Sequence, residues 1–341
     1  MLPSRPMPAA AVPTATLERL LQGFLRDRGL RKTVVEVRRQ ASPYYSSHLL
    51  EELDVRLDGG ARLSLLFKDL SPGRLVEEAD RVKPEFLRDP AREARAYALL
   101  ESAGVPAPRC FGYHAAPEKG QFFLFVGKAP GVPLWQVGEM SAWQAAAAWL
   151  GAEHGAMAHV AGAGEPAPLL AYDRAFFEAW PARVREWVIH PAPTDRRAVQ
   201  LSSILQHYPA VVERILRLPA TLIHGEFHAS NILLQQAPGG PSVYPVDWEM
   251  AGVGPGLLDL ADLTAGKWSD QERRSLVDAY RAALPAGAGP APEEFDEALD
   301  ACRLYKAIQW LGWAPQWEPP EEHRHDWLDE ALRLGDKLGL S

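Results

Sequence analysis

The sequence predicts an α+β chain in which strands come first and helices follow, with enough length for two lobes. Three observations carry this reading. Short β-forming runs at 33–37, 48–57, 62–67 and 121–126 crowd the first part of the chain. From Gly138 to Arg217 the apolar spacing is helical instead, and further helical patterns lie near the end. At 341 residues, two sizeable cores can be buried.

Composition narrows the classes. A hydrophobic content of 47% and a charged content of 23% suit an ordinary globular protein. The net charge of −8 argues against a nucleic-acid partner and would tolerate a cationic substrate. Cys110 and Cys302 stand in no metal or redox spacing, so both are expected to pack as reduced residues. No apolar run reaches membrane-spanning length; the most apolar helix, Met140 to Ala152, stops at Glu153. Residues 1–13, with Pro3, Pro6, Pro8 and Pro13, lack the apolar centre of a signal peptide and read as a disordered lead to a cytoplasmic protein.

In chain order, the first helix should begin at Thr14. Leu17, Leu20, Leu21, Phe24 and Leu25 share a face, and Gly29 ends it. Thr33 to Val37 is a strand that turns polar at Arg38-Arg39-Gln40. The runs His48 to Leu57 and Arg62 to Phe67 are joined by the hairpin turn Asp58-Gly59-Gly60. Alternation along Leu63, Leu65 and Phe67 puts Lys68 on the opposite face. A helix should run from Asp89-Pro90, an N-cap with a first-turn Pro, to Gly104. On it Glu93, Tyr97 and Leu100 fall on one stripe, so Glu93 faces the core and requires a cation, unless it pairs at the surface with Arg92 or Arg95. The strand Gln121 to Val126 breaks at Gly127-Lys128-Ala129-Pro130-Gly131.

Trp143, Ala146, Ala147 and Leu150 mark a buried helix, with His154 and His159 as structural residues near its end. Helices over Phe176 to Ile189 and Ala198 to Arg217 follow, and Pro219 ends them. Two short buried strands, Thr221 to Ile223 and Ile232 to Leu234, then flank a polar loop: His224, Gly225, Glu226, Phe227, His228, Ala229, Ser230, Asn231. Sixteen residues past Asn231, the run Val243 to Val246 ends at Asp247. The turn Ala237-Pro238-Gly239-Gly240 would fold these runs into a hairpin and bring Asn231 to Asp247. An acid, an amide and a second acid then converge. Phosphoryl transfer needs a carboxylate for the acceptor hydroxyl and oxygen ligands for Mg²⁺, and Mg²⁺ takes one or two carboxylates plus phosphates and water. A zinc site on His224 and His228 fits poorly, because the His-Glu-x-x-His motif needs one helical face and strands flank this loop.

Beyond Asp247, Gly252, Gly254 and Gly256 lack a strand-to-helix context and read as a flexible loop. The end of the chain predicts two helices, Ser269 to Leu284 and Pro292 to Trp313. Trp310, Trp313, Trp317 and Trp327 gather there with Glu318, Glu321 and Glu322, which suits either plain packing or a cationic, ring-bearing ligand.

With His224, Gly225, Asn231 and Asp247 at these spacings, the sequence resembles the aminoglycoside phosphotransferase family of small-molecule kinases, relatives of protein kinases. That family's loop reads His-Gly-Asp, with Asn five residues on and a metal-binding Asp on the next strand. Here Glu226 stands where Asp is usual. The resemblance implies a bilobal protein-kinase-like fold, with a small β-rich N-lobe over 14–127 and a larger, mostly helical C-lobe over 128–341. It implies ATP, with GTP as the alternative nucleotide, Mg²⁺, and a small-molecule hydroxyl as acceptor. Aminoglycosides, amino alcohols, sugars and macrolides are all acceptors of similar folds. Lys68, held by Glu93, would grip the nucleotide phosphates, with Glu77 and Glu78 as rival partners. Asn231 and Asp247 would bind Mg²⁺, and Glu226 would take the acceptor proton. The main chain of about Phe125 to Gly127 would receive the adenine edge. The phosphate-covering loop, usually Gly-rich, has no Gly here; Ser42, Ser46 and Ser47 would offer hydroxyls and amides, or are solvated turn residues. Asp259 matches a residue that buttresses the catalytic loop.

The Glu226 departure sets up the rival reading. Reference pKa values of Glu and Asp are close, about 4.3 and 3.9, but Glu reaches further by about 1.5 Å. Misplacement of about 1 Å can cost around a hundredfold in rate. The alternative is therefore a nucleotide-binding pseudoenzyme or regulatory module. A protein kinase is a third class, disfavoured because Asp247 runs so quickly into Asp259 that little room is left for an activation segment.

Overall fold

The computed structural model describes residues 12–44, 47–162, 169–186, 196–313 and 325–340. Helix α1 (Thr14–Asp27) opens the fold. Strands β1 (Val34–Ala41), β2 (Leu50–Leu57), β3 (Arg62–Asp69), β4 (Cys110–Ala116) and β5 (Gln121–Gly127) form an antiparallel sheet in the order β1-β2-β3-β5-β4. Leu17, Leu21 and Leu25 of α1 are buried with Val37, Leu53, Leu65, Phe67 and Phe125. Burying such side chains contributes about 2 kcal/mol each, an upper figure for a compact unfolded chain. The side chains of Leu124 and Val126 belong to a second cluster, with Tyr97 and Leu100 of α3 (Arg92–Ser102). Lys68 is thus on the face opposite Leu65 and Phe67, as alternation requires.

Several boundaries differ from expectation for local reasons. Strand β1 continues through Arg38-Arg39-Gln40 because Arg39 and Gln40 bond across to Glu51 and Glu52 on β2. Val12 is buried, and its carbonyl accepts from Arg39, so the packed chain begins before residue 14. Strand β4 carries the strand-favouring Phe111 and Tyr113 but no β-branched residue, and Gly112, Ala115 and Ala116 dilute its pattern. A short helix α2 (Glu77–Val82) precedes α3. Helix α3 starts at Arg92 because Asp89 caps Ala91 N–H at 2.9 Å in a turn instead of the helix itself.

The C-lobe contains β6 (Val132–Pro133), α4 (Met140–Met157), β7 (Leu170–Ala171), α5 (Arg174–Val184) and α6 (Arg196–Leu216). It continues through β8 (Ala220–Ile223), β9 (Ile232–Gln235), β10 (Ser242–Pro245) and β11 (Gly252–Pro255). Helices α7 (Leu257–Leu263), α8 (Asp270–Ala283), α9 (Phe295–Gly312) and α10 (Trp327–Lys337) complete it. Helix α4 runs past Glu153, which is buried. Ile189 lies outside the described residues, and α5 is seen to Val184. Helix α10 is a third closing helix, and its Trp327 stacks on Trp310 at 5.2 Å. Trp317, Glu318, Glu321 and Glu322 lie outside the described residues.

Two small sheets hold the polar loop. Strands β8 and β9 flank it but belong to different sheets, β7-β11-β8 and β10-β9-β6. Of the glycines expected to form a flexible loop, Gly252 and Gly254 instead lie in β11, antiparallel to β8, and Gly256 caps the start of α7. The ring of Tyr172 explains this: side chains at Gly252 or Gly254 would collide with it. A four-residue strand of alternating glycines that ends in proline leaves little β-propensity to read. Among the described residues, no helix is long and apolar enough to cross a membrane.

Candidate active site

The site begins at the end of β3. Lys68 Nζ lies 2.8 Å from each Glu93 oxygen and 2.7 Å from Asp247 Oδ1. Glu77 is exposed, and the side chain of Glu78 lies outside the described residues. Lys68 is 5% and Glu93 2% exposed. Burial alone would pull the ammonium down, but Asp247 and Glu93 outweigh it, so Lys68 stays charged well above neutrality. Removing Lys68 would leave Glu93 and Asp247 facing each other without their shared cation, at a cost of about 3–5 kcal/mol.

The polar loop is held from behind. Gly225 has φ 85°, and a Cβ there would run into Tyr172 and Met250, so glycine is required. Asp259, on α7, accepts the N–H groups of His224 at 2.6 Å and Gly225 at 2.8 Å. Lys306, buried on α9, donates to the Gly225 carbonyl at 2.7 Å and pairs with Asp262 at 2.7 Å. Phe227 N–H donates to the same Asp262 oxygen at 3.2 Å. His224 donates from Nε2 to the Val246 carbonyl at 2.9 Å, and its Nδ1 accepts Glu226 N–H at 3.3 Å. That tautomer is neutral, and burial holds the pKa of His224 below its ordinary value.

The hairpin β9–β10 brings the proposed ligands together. Pro245 pairs with Ile232, and Val246 N–H donates to the Asn231 carbonyl at 2.9 Å, so Asn231 and Asp247 are neighbours. Asn231 Nδ2 donates to the Glu226 carbonyl at 3.1 Å, so Oδ1 is the side-chain atom with which Asn231 could take a cation. Asp247 has φ 66° and is the non-glycine residue with positive φ among the described residues. Such strain persists where surroundings impose it, often at functional sites. Among the described residues, no group of three or more His, Cys, Asp or Glu could hold a metal. Asn231 and Asp247 instead offer two hard oxygen ligands, a set that fits Mg²⁺ completed by phosphate and water.

Glu226 is half-buried beside this pair. Burial first, then the carboxylates of Glu249 and Asp247, push its pKa up to about 8, against the pull of Lys83 and Lys306. Phe125 is fully buried against Phe67 and Phe24, so only its main chain could meet a ligand. Gly127 spends its N–H on the Arg109 carbonyl at 2.7 Å. Ser46 lies outside the described residues, while Ser47 donates to Glu249 at 2.7 Å. Tyr172, Lys83, Glu249 and Lys306 also shape the site and escaped the sequence reading. Glu249 alone carried a signal, as an acid two residues beyond Asp247. The contacts of the others span 78 to 166 residues of chain and have no local pattern.

Comparison with known proteins adds three findings. A family model described as APH, phosphotransferase enzyme family, matches residues 53–298. Among curated proteins, none matches the sequence. Several solved structures share the fold. One is a Ralstonia eutropha JMP134 protein, provisionally assigned as an aminoglycoside phosphotransferase, 11% identical over 95% of this chain and 98% of that one, with a TM-score of 0.63. Amicoumacin kinase hAmiN, solved with AMP-PNP, Ca²⁺ and Ami, is 12% identical over 96% and 94%, with a TM-score of 0.57. An ethanolamine kinase of Plasmodium vivax is 14% identical over 96% and 89%, with a TM-score of 0.55.

Proposed function

The chain belongs to the phosphotransferase enzyme family, and from that premise we propose that it moves the γ-phosphoryl group of ATP to a hydroxyl of a small molecule. One observation carries the reading: a buried ammonium, Lys68, bonded to both Glu93 and Asp247 beside the Asn231–Asp247 pair. In this reading Lys68, oriented by Glu93, grips the nucleotide phosphates. The main chain near Phe125 and Gly127 receives the base, and Ser47 lies toward the phosphates. Asn231 and Asp247 hold Mg²⁺, which when bound neutralises charge on the phosphates. Glu226 orients the acceptor hydroxyl and takes its proton late, as the new oxygen–phosphorus bond forms and the bond to ADP breaks. The neighbour solved with AMP-PNP and Ca²⁺ supports nucleotide and divalent-metal use, and the ethanolamine kinase supports a small hydroxyl acceptor.

Calorimetry with Mg²⁺·ATP tests the reading on the wild type and Asp247→Ala. Binding in the wild type that weakens at least about tenfold in the variant is expected, since a charged ligand–metal contact is lost. No binding of ATP or GTP by the wild type would overturn it. A nucleotide-binding module without turnover is the rival, favoured by Glu226 in the place of Asp. An acceptor screen spanning amino alcohols, sugars, aminoglycosides and macrolides separates the two.

A further inference from the structure

The loop between β1 and β2 has no glycine with which to fold closely over a phosphate. Its end at residues 47–48 is anchored by main-chain and side-chain bonds together. The Ser47 carbonyl accepts Val76 N–H at 3.0 Å, and His48 forms a β-bridge with Leu75. Ser47 Oγ donates to Glu249 Oε1 at 2.7 Å. Lys83 Nζ lies 2.8 Å from Glu249 Oε2 and 3.4 Å from Ser47 Oγ. Leu75 and Val76 immediately precede α2 and Lys83 immediately follows it, so this short helix is pinned at both ends to the same loop. Glu249 lies two residues past Asp247, and its carbonyl accepts from Arg92, the first residue of α3. The next residue on that helix is Glu93, which holds Lys68. Two guanidinium bonds from Arg88, at 3.2 and 3.1 Å, fix the carbonyl of Lys83.

Stability is a weak reason to keep such a pair. Lys83 is 7% exposed, and a buried ion pair is often no better than apolar residues of similar shape. The pair does join three segments around one spot.

We infer that Ser47, Lys83 and Glu249 form a clasp that ties residues 47–48, at the entry to β2, to the Asp247 loop, which makes Lys83 and Glu249 positioning residues for the nucleotide phosphates. The inference rests on the phosphotransferase reading above. Lys83 reaches the loop from the N-lobe side and Glu249 from the C-lobe side, so the clasp also fixes the lobes relative to each other where the phosphates would lie.

The test uses the full chain with Lys83→Met, Glu249→Gln, Ser47→Ala, Lys83→Arg and the Lys83→Met/Glu249→Gln double variant. Thermal melting first establishes that each is folded. Deuterium uptake at residues 47–49 is then read without nucleotide, and Mg²⁺·ATP affinity is read by calorimetry. Uptake should rise and affinity should fall about tenfold in Lys83→Met and in Glu249→Gln, with a smaller loss in Ser47→Ala and recovery in Lys83→Arg. The double variant should be no weaker than the worse single one, because both changes break one clasp. Folded variants with wild-type uptake and affinity overturn the inference. So do variants that bind more tightly, since the contact would then block the site. If uptake rises in the variants but the wild type binds no nucleotide, the clasp stands and the phosphotransferase reading falls with the positioning role.

Discussion

Glu226 concentrates the chemical question of this site. Its pKa is pushed up to about 8, first by burial and then by Glu249 and Asp247. Without metal, the residue is therefore largely protonated at neutral pH. A cation bound at Asp247 would cancel part of that repulsion and favour the carboxylate that the proposed role of Glu226 needs. The substitution Glu226→Gln keeps the shape and removes the proposed base. It should lower turnover by about 10²–10⁴-fold while leaving Mg²⁺·ATP affinity within about threefold. Steady-state kinetics beside calorimetry check this, and unchanged turnover would remove the role from Glu226. Gly225→Ala probes the loop's geometry rather than its chemistry. With φ at 85° and two neighbours in the way, the alanine variant should lose at least about 2 kcal/mol, seen as a lower denaturation midpoint. At this scale the sequence was legible where function imposes spacing. His224, Gly225, Asn231 and Asp247 lie within one motif, whereas Lys83 and Glu249 meet across 166 residues and left no spacing to find.

Elements were legible where side chains carried periodicity. The leucine face of α1, the stripe on α3 and the capping box Ser269–Glu272 that starts α8 all follow from local pattern. Strand β11 did not, because its glycines are selected by Tyr172 and not by strand propensity. Tyr172 also donates to the Met250 carbonyl at 2.8 Å and blocks any side chain at Gly225, so one ring shapes both β11 and the polar loop. Helix α9 offers a sharper test of how elements support the site. It carries the buried Lys306, which ties Asp262 on α7 to the Gly225 carbonyl. Lys306→Met keeps the apolar stem and deletes both bonds. It should destabilise the fold by about 3 kcal/mol and weaken turnover more than nucleotide affinity, since the loop bearing Glu226 loses its rear support. Denaturant midpoints and kinetic constants measured together would show this. Equal losses in turnover and affinity would instead mean that the lobe as a whole had shifted.

For the whole molecule, the buried Asp262 and the half-buried Glu226 set a pH dependence whose sign can be worked out. Burial raises Asp262 to about 7 against the pull of Lys306, and Glu226 stands at about 8. Each acid holds its proton more tightly folded than unfolded. The stability it contributes is full below the unfolded pKa, near 4, and is lost as pH rises through the folded value. His48 works the other way, because burial and the lysines lower it to about 4 although Glu249 pulls it up. Its cost appears as pH falls below about 6.5, where the unfolded residue binds a proton first. The two effects compete between about pH 4 and 6.5. Above that window only the acids act, so stability should fall by about 1–3 kcal/mol between pH 6.5 and 8.5, at roughly 1.4 kcal/mol per proton per unit. Thermal melting of the metal-free, nucleotide-free protein across this range reads the slope directly. Glu226→Gln should flatten it, because the amide cannot titrate. A melting temperature that rises from pH 6.5 to 8.5 would mean that neither acid keeps its proton in the fold. The carboxylates around Asp247 would then sit in a wetter site than their burial implies, one in which Glu226 already serves as a ready base without a cation beside it.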